Sequence, residues 1–435
     1  MKDQTQVTNK NAKNSEVNTM GNMLKTTPLN RWHRENNANM AEFGGFDMPL
    51  WYETGVKNEH LAVLESAGIF DTSHMACVTV RGNDALALLQ RCHTRDLASL
   101  AQGRCVYGAI LDEQGHTVDD AIVYCIGPGD FMVCVNAGMG ATVTAHLAGH
   151  GKKLDVVIKD LTGKIAKIDI QGKNSLRILK HLIQSPEQVF DTMPYFSFKG
   201  HMDPAFSPSS QVVLTDGTPV LLSRSGYTGE FGFEIFIAPE KAVDLWTDIL
   251  GQDRSYNVIP CGLGARDSLR AGAVLPLSHQ DIGSWKFINH PWMFALSLKP
   301  DGSGFTKAFI GDKALLDPKD AYYTHAFVGE NLRKVSSGQK AQVFDLEGNL
   351  LGNVLTCATD MGIGWIDQKI ISITSPDRPE GFVPKGLSCG FIRVKSPLEM
   401  GSKVVLKENK RTLTVTLVTD VRPHRTARQK ISNFI

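Results

Sequence analysis

The chain has 435 residues, 42% hydrophobic and 21% charged, which are the proportions of a globular protein long enough for more than one core. Its 46 basic and 45 acidic side chains leave a formal net charge of +1, so the basic footprint that nucleic acid demands is missing. No run reaches the roughly 18 uninterrupted apolar residues of a membrane span, and the eight cysteines hold no C-x-x-C, which reads as buried free thiols in a reducing compartment.

In chain order, residues 1–22 are polar, without the apolar stretch of a secretory signal, and are expected to be a disordered tail on a cytoplasmic protein. Glu59 to Ala67 predicts a short helix with Leu61 and Leu64 on one face and Gly68 at its end. Alternation at Ala76, Val78 and Val80 predicts a strand, after which Asn83 is placed to cap a helix through Leu86, Leu89 and Cys92. Two hairpins are then expected. The first joins 106–112 to 117–126 across Glu113-Gln-Gly-His116, and the second turns at Gly127-Pro-Gly-Asp130 into 131–136. A further hairpin is marked by Asp216-Gly217. Hairpins interleaved with single helices favour an α+β class over a doubly wound sheet. The Pro, Asp, Gly and Ser of residues 299–311 mark a domain boundary. Beyond it short β runs at 343–344, 350–355, 371–373, 404–406 and 413–418 have the spacing of a small barrel or sandwich.

No phosphate-cradling glycine motif is present: Gly262-Leu-Gly264-Ala-Arg-Asp267 lacks a third glycine, and the P-loop pattern is absent. The 13 histidines show no H-E-x-x-H and no metal spacing, so no metal is expected, and His60 and His74 read as structural. Three segments carry possible chemistry. In the first hairpin, position 109 falls opposite 120 and 107 opposite 122. Period-two alternation then puts Tyr107, Asp120, Ile122 and Tyr124 on one face and turns Asp119 away, too far to pair with Asp120. Either Asp120 works between two phenols, or both acids simply open a strand at the solvent edge.

The second segment runs from Ser223 to Ile237, where glycines at 226, 229 and 232 precede an apolar strand that buries Glu234. A buried carboxylate needs donors. A flat heterocycle with two adjacent N–H groups or a protein partner such as an arginine would each supply them. In the third, Pro260 to Arg270, a glycine loop enters a helix with Arg266 and Arg270 four apart, either to hold a carboxylate-bearing ligand or to form structural ion pairs.

Taken together and in order, these segments resemble the T-protein family of the glycine cleavage system, the tetrahydrofolate-dependent aminomethyltransferases. The resemblance rests on Phe43-Gly-Gly-Phe-Asp-Met-Pro-Leu, Glu59-His-Leu-Ala-Val, Gly68-Ile-Phe-Asp-Thr-Ser-His-Met75, Asp119-Asp120 and Val135-Asn136-Ala137. It continues in Ser225-Gly-Tyr-Thr-Gly-Glu-Phe-Gly-Phe-Glu234 and Gly262-Leu-Gly-Ala-Arg-Asp-Ser-Leu-Arg270, and spans Met23 to Leu298 best. It implies catalysis by Asp120, a pterin-anchoring Glu234, and a folate site lined by Met75, Tyr107, Tyr124, Asn136, Tyr227 and Arg266. The implied fold is a multi-subdomain α+β folate-binding fold with antiparallel sheets around a central channel, over 23–300 as two interleaved subdomains, and a C-terminal β-barrel over 312–435.

The implied function is transfer of a one-carbon unit from the aminomethyl-lipoyl arm of H-protein, a transient partner, to tetrahydrofolate with release of ammonia. Neither nucleic acid nor membrane is an expected partner. The chain departs from the family pattern at Ala271-Gly272, at Ser278-His279, at Thr94-Arg95-Asp96, at Lys173 and at Leu298, and a basic residue of the C-terminal domain is matched at Lys407. Residues 281–292 either add aromatic bulk at the donor wall or pack the core. Alternative readings are a tetrahydrofolate-dependent demethylase of a small methylated amine or sulfonium donor, and a non-catalytic folate-binding module. Modules of the latter kind carry Lys-Gly-Cys-Tyr-x-Gly-Gln-Glu, whereas Ser225-Gly-Tyr-Thr-Gly-Glu230 has no cysteine.

Overall fold

The computed structural model describes residues 23–202, 211–252 and 254–435, so the tail expected over 1–22 lies outside the described residues. Its strands gather into two main sheets and a barrel. The first sheet is antiparallel, in the order Arg104–Leu111, Thr117–Gly127, Asp130–Val135, Ala76–Arg81, Val157–Asp160. Both expected hairpins form, with Gly115 at φ +78° and Gly129 at +67° in the turns, a region glycine enters without a Cβ penalty. Helices Ala85–Cys92 and Gly140–Gly151 lay Leu88, Leu89, Val143 and Leu147 on Val78, Val80, Val123 and Val133 of the sheet. The first of these helices starts behind Asp84 with no side-chain cap; Asn83 instead donates to Asp155 at 2.7 Å.

The second sheet runs Phe198–Gly200, Pro219–Ser223, Gly232–Ile237, Ala166–Gln171, Ala67–Asp71, Val258–Pro260, with Val212–Val213 paired to Pro219–Ser223 across the Asp216-Gly217 turn. Helices Ser175–Leu182 and Ala242–Leu250 cover its outer face over Phe233, Ile235 and Ile237. Gly68 does not end a helix, as its sequence position suggested. The helix is Gly55–Glu65 and the strand already begins at Ala67, where a Cβ on Gly68 would lie 2.6 Å from Cys261 Sγ and 2.7 Å from Val63. The glycine is there for close approach of strand to helix. The helix buries Glu59, His60, Val63 and Leu64, with Leu61 only half-buried.

The C-terminal strands close into a barrel in the order Tyr323–Gly329, Leu387–Val394, Leu350–Asp360, Gln342–Phe344, Lys403–Glu408, Arg411–Val418. Tyr323–Gly329 and Leu387–Val394 were not foreseen, because His325 and Arg393 interrupt their apolar runs. One apolar cluster joins Ala109 and Leu111 of the first sheet through Trp285, Phe287 and Trp292 to Leu355 and Phe391 of the barrel. Residues 281–292 therefore fill a core; Trp292 is 0% exposed. All eight cysteines are free and buried, and no helix among the described residues is long and apolar enough to cross a membrane.

Candidate active site

The inner faces of the two sheets approach each other through Cys105, Tyr124, Met132 and Cys134 on one side and Leu221 and Phe236 on the other. Where this contact ends, a cleft of about 370 Å³ opens, walled by both sheets, by the helix Leu263–Gly272 and by Leu275 to Leu277.

The first-sheet wall carries Asp120. The hairpin pairs Ala109 with Asp120 and Tyr107 with Ile122, the register that the turn dictates. Tyr107 donates from its phenol to Asp120 Oδ2 at 2.8 Å, and Asn136 donates from Nδ2 to Asp120 Oδ1 at 2.6 Å. Burial, then the Asp120 charge, push the Tyr107 phenol well above its usual range, so it stays a donor. Asp119 does not stay apart from Asp120, as strict alternation required. The strand Asp130–Val135 ends one residue before Asn136, and the freed Asn136 also gives its backbone N–H to Asp119 Oδ2 at 2.9 Å and its Nδ2 to Asp119 Oδ1 at 2.8 Å. One side-chain amide clasps both carboxylates.

The second-sheet wall carries Glu234, 5% exposed, on a strand whose alternate residues Phe233 and Ile235 face the opposite core. Lys167 Nζ meets Glu234 Oε1 at 2.6 Å, while Ser225 Oγ and, at 3.4 Å, the Tyr124 phenol approach Oε2. The protein partner is thus a lysine and not an arginine. Lys167 also meets Asp169 Oδ1 at 2.6 Å, and Asp169 Oδ2 takes Arg266 at 3.0 Å, so four charges of alternating sign run along the floor. Burial opposes the Lys167 ammonium, but Asp169 and Glu234 outweigh it and hold its pKa above the usual value. For Asp169, burial is likewise overcome by Lys167 and Arg266, which keep its carboxyl below the usual range. Each Glu234 oxygen has two acceptor sites: Oε1 keeps one beside Lys167, while Oε2 takes Ser225 and, only at 3.4 Å, Tyr124.

Of the residues expected in the site, Met75, Tyr107, Asp120, Asn136, Tyr227, Glu234 and Arg266 line this one cleft. Tyr124 shares the face of Tyr107 and Asp120 but lies two pairs farther along, fully buried between Phe198 and Phe236, and touches Glu234 from behind. Arg266 stacks over the Tyr227 ring at 4.7 Å, and the Tyr227 phenol donates to the Pro276 carbonyl. Arg270 turns away from the cleft to the half-exposed Asp267 and the buried Asp281 and Thr356, a structural ion pair, whereas Arg266 lines the cleft while itself paired with Asp169. Lys407 lies on the barrel over the Phe344 ring at 4.4 Å; the C-terminal basic residue on the cleft is Arg428.

Sequence reasoning did not single out Lys167, Asp169 and Phe294, read His74 as structural, and met Ser225 and Arg95 only inside longer segments, with no role of their own. The signal for the first two was present: Ile165-Ala-Lys-Ile-Asp-Ile170 puts two charges on one face of an otherwise apolar strand. His74, 3% exposed, stands against Phe43 and Phe46 and lines the cleft, and burial lowers its imidazole to about 4, so it is neutral there. Phe294 and Arg428 are exposed lining residues and mark the mouth; Arg95 beside them donates to the Phe294 carbonyl. Such a cleft can hold a flat, donor-rich ring at the Glu234 end and manage a proton or a developing cation at the Asp120 end.

Residues 29–286 match the family described as the GCVT N-terminal domain. The chain is similar to an aminomethyltransferase of Staphylococcus haemolyticus (strain JCSC1435), 31% identical over 400 residues that make up 92% of this chain and 98% of that relative. It is also similar to an aminomethyltransferase of Geobacillus kaustophilus (strain HTA426), 40% identical over 260 residues, 60% of this chain and 67% of that one. Its fold is similar to the crystal structure of glycine cleavage system aminomethyltransferase T from Bartonella henselae, with a TM-score of 0.72 and 26% identity, covering 94% of this chain and 99% of that one.

Proposed function

The chain belongs to the GCVT family of aminomethyltransferases, and from that premise we propose that it is a glycine-cleavage aminomethyltransferase that passes the one-carbon unit from the lipoyl arm of H-protein to tetrahydrofolate. The single observation that carries this reading is the occupancy of one cleft by two differently built acids, Glu234 sunk at the floor and Asp120 held by Tyr107 and Asn136 on the facing wall. The donor set fits a reduced pteridine. Glu234 keeps one acceptor site on Oε1, and a second opens on Oε2 when the long 3.4 Å Tyr124 contact gives way to an adjacent ring N–H, while Met75, Ile122 and Tyr107 offer apolar and aromatic surface to a flat ring. When bound, tetrahydrofolate supplies the secondary amines N5 and N10 that take up the carbon, while their two protons go to the released thiol and to ammonia.

Asp120 orients those amines and accepts or returns a proton, with its position fixed by two donors of 2.8 and 2.6 Å. Arg266, Tyr227 and the Glu234 network hold the ligand still, and positioning of this kind is worth about 7–11 kcal/mol when two reactants are kept in line. Phe294 and Arg428 at the mouth face the side from which a lipoyl arm enters, so H-protein is a transient partner that docks around them. Supplying aminomethylated H-protein and tetrahydrofolate to the folded protein should yield methylenetetrahydrofolate and ammonia in equal amounts. Absence of turnover, or methyltetrahydrofolate formed from a small methylated amine in its place, would reject the assignment.

A further inference from the structure

Asp119 is a buried acid with no part in the reaction as described above. It is 0% exposed, yet accepts from the Asn136 backbone at 2.9 Å, from Asn136 Nδ2 at 2.8 Å and from Ser278 Oγ at 3.0 Å, and His279 Nε2 stands 3.6 Å away. Ser278 and His279 open a π-helical turn, Ser278–Ile282, whose Asp281 is fixed by Arg270, by Thr356 at 2.6 Å and by the Leu277 N–H at 2.9 Å. The turn is held to Asp119 from outside the sheet while Asn136 ties Asp119 to Asp120 from within.

We infer that Asp119 is a positioning residue for Asp120: Asp119 holds a proton at the far side of the Asn136 clasp, and loss of that proton to water past the half-exposed His279 adds a negative charge beside the reacting centre. The inference rests on the reading of Asp120 as the group that meets the substrate. The groups that face Asp119 are Asp120 beside it on the same strand, Tyr107 from the neighbouring strand and His279 from the π-turn, with Asn136 and Ser278 as uncharged donors. Burial and then the Asp120 charge raise the Asp119 carboxyl to about 7, against the pull of Asn136 and Ser278. The negative charge that Asp119 carries once its proton is lost favours the cationic carbon that forms as the amine departs.

The test begins without any ligand. Infrared titration of the full chain should show a protonated-carboxyl C=O band that disappears near pH 7. That step should be missing from Asp119→Asn and should move to higher pH in Ser278→Ala, which removes one donor to the ionised form. In turnover, wild-type kcat should rise several-fold across the same step, and Asp119→Asn should stay flat at the low-pH level with the tetrahydrofolate KM unchanged. A step that persists in Asp119→Asn, or fails to move in Ser278→Ala, overturns the inference. So does an infrared step that kcat does not follow, even though the aminomethyltransferase assignment would then stand. If the wild-type step is present but no turnover is found, the fault lies with that assignment instead.

Discussion

Glu234 and Lys167 form a buried ion pair whose removal by halves is costly, because the remaining charge keeps its desolvation without its partner. Lys167→Met should therefore lose about 3–5 kcal/mol of stability, read from the urea midpoint, and should weaken tetrahydrofolate binding in a titration; an unchanged midpoint would mean that the pair is not formed in solution. Asp120→Asn should act on the other axis, lowering kcat by roughly 10²–10⁴ with little change in the folate KM, and equal activity would remove Asp120 from the mechanism. The acids themselves were legible in the sequence. The Asp119-Asp120 doublet and Glu234 stood out by residue type and period, whereas the Asn136 clasp did not, because it forms where a neighbouring strand ends and strand periodicity carries no information past that point.

At the scale of elements, the hairpin register was readable because a glycine turn fixes it and a one-residue slip would turn every side chain to the other face. Helix ends were less legible. Gly68 belongs to a strand that leans on a helix, and Gly272 ends the helix Leu263–Gly272 where a Cβ would fall 1.8 Å from Asp360 Oδ2 on the barrel. Nothing local in the sequence signals that contact, since its partner is far along the chain. Gly272→Ala should thus destabilise the protein markedly, by more than the about 1 kcal/mol that replacing a helical glycine ordinarily gains. Gly149→Ala is the control, an exposed helical position where a Cβ meets nothing within 4 Å, and it should be neutral or stabilising. Thermal melts of the two variants should move in opposite directions; similar melts would mean that the barrel does not press on that helix.

The whole molecule is locked by Arg422, fully buried, which pairs with Asp360 at 2.5 Å and Glu230 at 3.1 Å and also reaches the Thr228 carbonyl, beside Tyr227 of the cleft. His60 joins the same Asp360 at 3.1 Å and Ser268 at 2.7 Å, which makes it structural, in line with its sequence context. Burial opposes the Asp360 charge, but Arg422 and then His60 overcome it and hold the carboxyl below its usual 3.8. This contribution is fully present above about pH 4 and is lost as pH falls through the depressed value, so acid should loosen the barrel from the cleft. Asp119 works in the other sense. Its folded-state carboxyl, near 7 against 3.8, binds a proton that the unfolded chain releases, so its contribution declines as pH rises between those values. Arg422→Met should lower stability by about 3–5 kcal/mol and weaken folate binding in the same variant, a pairing of effects that denaturation and titration together would reveal.

In the proposed complex the pteridine of tetrahydrofolate lies in the cleft between the two sheets, its ring anchored by Glu234 and its reactive amines beside Asp120. A crystal structure of the protein with a stable reduced folate would locate the ring. Ring N–H groups are expected within hydrogen-bond distance of Glu234, with the Asp120 carboxylate next to N5 or N10. A folate bound elsewhere, or turned so that Asp120 faces only its tail, would contradict that placement.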